Sequence, residues 1–222
     1  MKKEVIGLVP VKGDSDRVEK KNLRPFCDTN LFELKLAQLR DAVGFADIVV
    51  SSENSQILDT AKNAGYTAHE RDPRYATSHV SMSEVYSNIA SEIEGEHIAW
   101  INVTNPLVEG FEYSKALQAY DALPTENDCL LSAYEFRSNI IWKNKPLNFP
   151  RSPWPRSQDL DPILILSFVI NILKRKDLIA WGSCVGLKPY YHLCDTLTSW
   201  DIDDKNDFEF CELLYKKRSH KH

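Results

Sequence analysis

The sequence of 222 residues has few cysteines, and none of them forms the short C-x-x-C pair of a thiolate metal site. Its five cysteines are odd in number and widely scattered, which argues against a disulfide framework and against a thiolate zinc site. Buried free thiols are the simplest interpretation. The cysteines are Cys27, Cys129, Cys184, Cys194 and Cys211.

Long apolar runs and a basic excess are also absent. No segment approaches the roughly 18 uninterrupted apolar residues of a membrane-spanning helix, and the apolar run near the N-terminus is too short for a signal peptide. The formal net charge is -5, whereas nucleic-acid binding selects for broad basic surfaces. We therefore expect a cytoplasmic protein that binds neither nucleic acid nor membrane, and in which any anion site is local.

Short apolar runs alternate with segments of helical period along most of the chain. This alternation predicts a Rossmann-like, three-layer α/β/α fold with a mostly parallel sheet. Residues 1–222 are enough for one domain with its own core. The expected strands are 5–11, 46–51, 97–103, 128–134 and 163–172, and the expected helices are 31–42, 56–64, 83–93, 113–123 and 204–217.

Residues 137–162 interrupt this alternation with five prolines in a polar stretch. Such a segment cannot form a regular helix or a central strand, yet it carries Trp142, Phe149 and Trp154. Exposed aromatic side chains usually have a partner. The segment is therefore either an excursion that lies on another surface or a loop that covers a site.

A loop with several cations follows the first predicted strand. The stretch VKGDSDRVEKKN at 11–22 contains Lys12, Gly13, Ser15 and Lys21. Between a strand and a helix, such a loop offers backbone N–H groups and cationic side chains to a polyphosphate. It has neither the Walker sequence nor the glycines of a dinucleotide fingerprint. Phosphate binding and a solvated basic surface are both compatible with this pattern.

Two aspartates precede the last predicted helix. Asp201 and Asp203 alternate with Ile202, so their side chains point to the same side of an extended segment. Two carboxylates, completed by water and substrate phosphates, are a common set of ligands for Mg²⁺. The alternative is that Asp203 or Asp204 caps the N-terminus of the helix.

Further polar residues follow a predicted strand or the proline-rich segment. The guanidinium of Arg71 suits a nucleotide or a carboxylate, although a surface ion pair is the simpler role. Ser81 lies further along the chain, just before a predicted helix. Each of these signals is weak by itself, but their order along the chain is informative. The remaining residues are Asn102 and Thr104 after a strand, and Arg156, Gln158 and Asp159 at the end of segment 137–162.

This order resembles the acylneuraminate cytidylyltransferase family, which activates sialic-acid-like and 2-keto-3-deoxy sugar acids as CMP conjugates. The stretch VKGDSDRVEKKN is similar to the family pattern A-R-x-G-S-K-x-x-x-x-K-N. The later counterparts are VVSSENSQILDTAKNAG for V-V-S-T-D and a helix, RDPRYATSHVS for R-P-x-x-L-A-x-D-x-x-S, INVTNPL for L-Q-P-T-S-P-L, RSQDLDP for R-x-Q-D-L-P-P, and WDIDDKNDFEFCELL for I-D-I-D-T-P-E-D-F-E-x-A-E-x-L. Together the six motifs span nearly the whole chain.

The resemblance implies an enzyme that uses CTP, forms the CMP conjugate of a nonulosonic or 2-keto-3-deoxy sugar acid and releases pyrophosphate. It also implies Mg²⁺ on Asp201 and Asp203, and a homodimer formed through residues 137–162 as a protruding dimerisation arm. The implied catalytic residues are Lys12, Lys21, Asp201 and Asp203. The implied nucleotide-binding residues are Val11, Lys12, Gly13, Ser15, Lys21, Asn22, Arg71 and Ser81, and those beside the acceptor are Asn102, Thr104, Arg156, Gln158 and Asp159.

Several positions depart from the family pattern. Lys12 replaces an arginine, which keeps the charge but loses the bidentate fork, and Asp16 reverses the charge of a lysine in the phosphate loop. On the acceptor side, Asn102 replaces a glutamine and Val108 replaces an arginine. Two alternatives follow: a cytidylyltransferase for another acceptor, such as a phosphorylated or phosphonate compound, and a nucleotide-binding homologue that has lost catalysis.

Overall fold

Seven strands form the central sheet of the computed structural model, which describes residues 2–15 and 17–219. Six strands run parallel, and the seventh runs antiparallel to both of its neighbours. The expected mostly parallel sheet is therefore confirmed. In their order across the sheet, the strands are β11 (Pro189–Leu193), β7 (Cys129–Phe136), the antiparallel β10 (Ile163–Lys174), β6 (His97–Trp100), β1 (Val5–Pro10), β4 (Asp47–Ser52) and β5 (Thr67–Glu70).

Helices pack on both faces of the sheet and give the expected three layers. The core on one face joins the sheet to α1 (Leu31–Arg40), α2 (Ser55–Asn63) and α4 (Gly110–Asp121). The core on the other face joins it to α3 (Met82–Glu92) and α5 (Arg175–Trp181). A third cluster packs α6 (Lys205–Ser219) against α1 and the short strand β2 (Pro25–Phe26), which pairs with β3 (Thr29–Asn30). No helix in the described part of the chain is long and apolar enough to cross a membrane.

Local capping explains where several helices begin and end. Asn30 caps α1 by accepting a hydrogen bond from the Glu33 amide, and Ser81 forms a capping box with Glu84 at the start of α3. Gly65 follows α2 with a φ of +85°, a conformation that glycine adopts without a steric penalty. The helices predicted from periodicity are thus confirmed, with shifts of a few residues at their ends.

Two elements near the C-terminus were not predicted from the sequence. The helix α5 has only seven residues, and β11 is an edge strand on which Tyr190 and Tyr191 are exposed, so neither has a strong periodic pattern. The returning strand β10 is confirmed. Its first half is more exposed than expected, and its pairing with β7 is irregular near Phe168, which has a φ of +52°.

Residues 137–162 connect β7 to β10 and contain the small hairpin of β8 (Ile141–Trp142) and β9 (Lys145–Pro146). The hairpin turn places two residues at positive φ, Lys143 and Asn144. Trp142 and Trp154 are 62% and 68% exposed. These side chains are available to a partner surface, so the dimerisation arm stays a prediction.

Candidate active site

A cleft of about 790 Å³ lies at the carboxyl ends of β1 and β6, where ligands bind in open parallel sheets. Its walls come from the loops that follow β1 and β6, from the loop before α3 and from the segment before α6. The cleft therefore brings together residues of separate sequence motifs. The lining residues are Pro10, Lys12, Asp14, Ser15, Arg17, Lys21, Asn22, Ala76, Thr77, Ser78, His79, Asn102, Val103, Thr104, Asp201 and Asp203.

The loop after β1 packs closely against the start of α2. A Cβ atom at Gly13 would lie 2.6 Å from Asn54 Nδ2, closer than real Cβ contacts. Asn54 is itself held in place, because its side chain accepts a hydrogen bond of 3.2 Å from the Ile57 amide and caps α2. Glycine is thus required at this position by the close approach of the loop to the helix cap.

Glu53 fixes the backbone of the same loop. Its Oε1 atom accepts a hydrogen bond of 2.7 Å from the Gly13 amide, and its Oε2 atom accepts one of 2.6 Å from Arg71 Nη2. Burial opposes ionisation of this carboxyl group, but the hydrogen bonds from Gly13 and Arg71 outweigh it and lower the pKa of Glu53. No sequence pattern singles out Glu53, because its role depends on a contact with a loop that is distant along the chain.

Arg71 is buried, is not among the residues that line the cleft, and contacts the backbone of the opening loop. Its Nη2 atom also donates to the Val11 carbonyl at 2.9 Å, while its Nε atom is buried without a hydrogen-bond partner among the described residues. The simpler role considered for Arg71, a surface ion pair, is wrong, because the ion pair with Glu53 is buried. Its predicted contact with the base stays a prediction.

Lys21 joins the opening loop to the segment before α6. Its buried ammonium donates a hydrogen bond of 2.6 Å to the Ile202 carbonyl. Burial lowers the pKa of Lys21, and the negative charge of Asp201 acts in the opposite direction. Beside it, Asn22 donates to the Lys12 carbonyl at 3.0 Å, and its own Oδ1 atom is buried without a partner in the described chain. Both side chains reach the cleft from a fixed backbone.

Asp201 and Asp203 reach the cleft as their alternation predicted. Asp204, rather than Asp203, caps α6, because its Oδ1 atom accepts from the amides of Asn206 and Asp207 at 2.7 and 3.0 Å. Asp201 Oδ1 is buried without a hydrogen-bond partner among residues 2–15 and 17–219. Burial raises the pKa of Asp201, and the nearby charge of Asp203 raises it further, against a hydrogen bond from Thr104. The charges of Lys21 and Arg17 act on the same carboxyl group in the opposite direction, and the unpartnered Oδ1 atom is a potential ligand for a further cation.

A second cavity of about 410 Å³ adjoins the same two aspartates. It is lined on its other sides by residues of β7, of β10 and of the segment before α6. None of the described residues that line it is cationic. They are Tyr134, Ile165, Leu166, Ser167, Phe168, Thr196, Ser199, Trp200, Asp201, Asp203 and Asp207.

Lys35 on α1 lies beneath the site and was not singled out in the sequence. It is fully buried, and its Nζ atom lies 3.0 Å from the Asn105 carbonyl and 2.5 Å from the Tyr113 hydroxyl. The Asn105 side chain in turn donates to the Trp200 carbonyl at 3.1 Å, next to Asp201. Burial holds the pKa of Lys35 well below its usual range. A lysine within the apolar pattern of a helix gives no such signal in the sequence.

The other predicted site residues lie outside the cleft of this chain. Ser81 is exposed and its hydroxyl bonds to Glu84 within the capping box of α3. Arg156 and Asp159 pair with each other at 2.7 and 2.9 Å on the exposed end of segment 137–162, with Gln158 between them. Their predicted roles towards the base and the acceptor stay predictions.

Comparison with known proteins agrees with the fold and with the motifs. The chain is 22% identical over 97% of its length to the flagellin modification protein B of Campylobacter coli, and covers 97% of that protein. It is 24% identical over 94% of its length to the pseudaminic acid cytidylyltransferase of Campylobacter jejuni, and covers 95% of it.

A solved structure of CMP:2-keto-3-deoxy-manno-octonic acid synthetase complexed with CTP shares the fold. The two superpose with a TM-score of 0.69 at 12% identity, over 97% of this chain and 99% of the other. The resemblance to acylneuraminate cytidylyltransferases is thereby confirmed. The family model described as "Cytidylyltransferase" matches residues 6–145. Because this match covers more than half of the sequence, the chain belongs to the cytidylyltransferase family of nucleotidyltransferases.

Proposed function

We propose that this protein transfers CMP from CTP to a hydroxyl group of a nonulosonic or other 2-keto-3-deoxy sugar acid and releases pyrophosphate. One observation carries the proposal: two cavities, of about 790 and 410 Å³, meet at Asp201 and Asp203. A transferase needs its two substrates on either side of the reacting phosphorus. The larger cavity has cations for a triphosphate, and the smaller one has room for a sugar.

The nucleotide side is supported by the charge and the rigidity of the opening loop. Lys12, Lys21 and Arg17 line the larger cavity and supply positive charge to phosphate oxygens. The backbone between Val11 and Gly13 is held by Glu53 and Arg71, so the loop is positioned before a ligand arrives. Transfer of a nucleotidyl group depends mainly on such positioning and on charge neutralisation.

Asp201 and Asp203 fit a divalent cation, and we propose Mg²⁺. The fit rests on the buried, unpartnered Oδ1 atom of Asp201 and on the oxygen-only donor set, which Mg²⁺ prefers. Arg17 now pairs with Asp203 at 2.7 Å, but both side chains are more than half exposed, so this contact is weak and exchangeable. When bound, Mg²⁺ neutralises phosphate charge and lowers the pKa of a hydroxyl group beside it.

The acceptor side is supported by the relatives and by the shape of the smaller cavity. The curated relative that is a pseudaminic acid cytidylyltransferase takes a nonulosonic acid by its name, and the chain matches nearly all of its length. The smaller cavity offers Tyr134, Ser167 and Thr196 to hydroxyl groups but no cation to a carboxylate, within the described residues. We propose that Arg156, whose side chain is exposed on the arm, supplies that cation to a second copy of the chain in a homodimer.

In the proposed reaction, the acceptor oxygen forms a bond to the α-phosphorus of CTP as the bond to the bridging oxygen of pyrophosphate breaks. The hydroxyl proton leaves to solvent, and the negative charge departs with pyrophosphate. Lys12 and Lys21 neutralise the charge that develops on the leaving group. Because CTP is a cytoplasmic substrate, we propose that the enzyme works in the cytoplasm.

Measurement of pyrophosphate release from CTP with a panel of acceptors tests the proposal. The panel should hold nonulosonic acids, a 2-keto-3-deoxy octonic acid, and phosphorylated and phosphonate alcohols. Turnover is expected with at least one of the sugar acids. Turnover confined to phosphorylated or phosphonate alcohols would overturn the proposed acceptor, and CTP binding without turnover on any acceptor would overturn the enzymatic function.

A further inference from the structure

A cluster of three potential metal ligands lies away from the cleft, between β11 and α4. His192 is the fourth residue of β11, and Cys194 follows two positions later, so both side chains lie on the same face of the extended chain. Cys194 continues the pairing with β7, because its amide donates to the Ala133 carbonyl at 2.8 Å. Glu112 approaches from α4, and the three ligand atoms all lie within 4.8 Å of one another.

The cluster is partly buried, and one of its potential ligand atoms lacks a hydrogen bond. His192 Nε2 is buried without a partner among the described residues, and the nearest carboxylate oxygen, Glu112 Oε2, lies 3.9 Å away. The other oxygen of Glu112 is occupied by Lys115 Nζ at 2.9 Å, which leaves Oε2 directed towards the histidine. Cys194 is 8% exposed. An unsatisfied imidazole nitrogen in such a place costs free energy unless something occupies the gap.

We propose that Glu112, His192 and Cys194 hold a Zn²⁺ ion, with water as the fourth ligand. A thiolate, an imidazole nitrogen and a carboxylate oxygen form a donor set that suits zinc and that magnesium does not select. In tetrahedral zinc sites the ligand atoms are separated by about 3.3–3.6 Å, as follows from bond lengths of about 2.0–2.3 Å. The three ligand atoms lie within 4.8 Å of one another, so zinc binding requires side-chain rotations that draw them closer together.

Binding is a proton exchange and not a redox reaction. The thiol of Cys194 loses its proton to solvent, a zinc–sulfur bond forms, and the oxidation state of the metal does not change. Neutral His192 contributes its Nε2 lone pair, and Glu112 contributes Oε2 while Lys115 stays on the other oxygen. The scattered cysteines hide this site in the sequence, because only one of them takes part and the glutamate comes from a distant helix.

The position of the cluster gives the ion a structural role. It would join the edge strand β11, which has β7 on one side only, to α4 on the face of the sheet. Cys194 also begins the connection that ends at Asp201, and Asp195 tightens this connection by accepting from the amides of Leu197 and Thr198. The inferred site is independent of the proposed transferase reaction, since it lies outside both cavities at Asp201.

The experiment uses the full chain stripped of metal with a chelator and then titrated with Zn²⁺ against a chromophoric competitor. Substitution by Co²⁺ identifies the ligands, because only a thiolate site gives an intense sulfur-to-cobalt charge-transfer band in the near ultraviolet. We expect one Zn²⁺ per chain, this band with Co²⁺, and a rise in melting temperature on binding. Divalent ions at Asp201 and Asp203 give no such band.

Variants assign the ligands. His192→Gln and Cys194→Ser should each lower zinc affinity by more than about 100-fold, since even the loss of an outer-shell partner costs 10–100-fold. Cys27→Ser is the matched control, because Cys27 also lies beside a glutamate, Glu212, on another side of the molecule. Circular dichroism verifies that each variant folds. A wild-type protein without the charge-transfer band, or a band that survives Cys194→Ser and disappears in Cys27→Ser, would overturn the proposal.

Discussion

The ammonium group of Lys21 donates a hydrogen bond of 2.6 Å to the carbonyl oxygen of Ile202, the residue between the two aspartates that line the cleft. This contact joins the loop after β1 to the segment before α6, which lie at opposite ends of the sequence. Lys21 therefore has two effects in one position: it supplies charge to the cleft, and it holds the carboxylates against the loop.

Replacement of Lys21 by Met is expected to lower both activity and stability. The change removes a cation from the triphosphate site and leaves the Ile202 carbonyl without its donor. We expect kcat/KM to fall by about 10²-fold or more, and the free energy of unfolding to fall by about 1–3 kcal/mol. Pyrophosphate release and urea denaturation measure the two effects. Lys20→Met is the control, because Lys20 is the neighbouring exposed lysine, and an equal loss in this variant would contradict the assignment.

Asp201→Asn is expected to remove activity while it stabilises the metal-free protein. Burial raises the pKa of Asp201 above its value in the unfolded chain, so the folded state binds more protons, and its stability rises as pH falls from the folded towards the unfolded pKa. The amide of asparagine is uncharged, so its burial does not lower the free energy of unfolding as burial of the ionised Asp201 does. We expect turnover to fall by about 10²-fold or more and the melting temperature without Mg²⁺ to rise at neutral pH.

The matched variant for this test is Asp203→Asn. Asp203 is exposed and pairs with Arg17, so its replacement should lower turnover without the gain in stability. Thermal melts with and without Mg²⁺ distinguish the two aspartates. A wild-type protein that is more stable than Asp201→Asn in the absence of metal would disprove the burial argument.

Glu53 is expected to act through the loop that it fixes rather than through the substrate. Glu53→Ala leaves the buried Arg71 without its carboxylate, which should cost about 3–5 kcal/mol of stability. It also frees the Gly13 amide, so KM for CTP should rise by about 10-fold or more as the loop loses its position. Glu53→Gln retains one acceptor and should recover part of both effects. Equal KM values for CTP in the wild type and in Glu53→Ala would refute this role.

Lys35→Met tests the buried amine beneath the site. Because burial depresses the pKa of Lys35, the unfolded chain binds more protons between the folded pKa and about 10.4, and the contribution of Lys35 to stability grows as pH rises in that window. The unfolding free energy of the wild type, measured relative to Lys35→Met, should therefore increase from neutral pH towards about 10. A difference that stays constant or shrinks with pH would contradict a depressed pKa.

The sheet and part of the cleft could be predicted because the residues that form them follow local sequence patterns. The buried strand before Lys12 and the alternation of Asp201 with Asp203 are visible in the sequence itself, and both lead to the cleft. Glu53 could not be predicted, since its role comes from a contact with Gly13 that only the fold creates. The same is true of Lys35, whose ammonium group contacts the buried Asn105 carbonyl and the Tyr113 hydroxyl on α4. Asp16, the strongest departure from the family pattern, lies outside the described residues.

The last prediction concerns residues 137–162. Ile141, Trp142 and Trp154 are each more than half exposed in the isolated chain, and large apolar side chains of this kind usually mark an interface. We expect a dimer at micromolar concentration in sedimentation velocity, and a monomer for the double variant Trp142→Lys with Trp154→Lys. Leu187→Lys, at an even more exposed apolar position outside the segment, should leave the dimer intact.

Mixing experiments connect this dimer to catalysis. If Arg156 of one copy serves the acceptor cavity of the other, Arg156→Ala and Asp201→Asn should each be inactive or nearly so, because each lacks one part of every site. In a mixed dimer, one of the two sites has both parts, so activity should return when the two variants are combined. The monomeric double variant cannot show this recovery. If the mixed dimers of Arg156→Ala and Asp201→Asn form but regain no activity, Arg156 does not serve the site of the other copy. If the wild-type protein sediments as a monomer, residues 137–162 do not form a dimer interface.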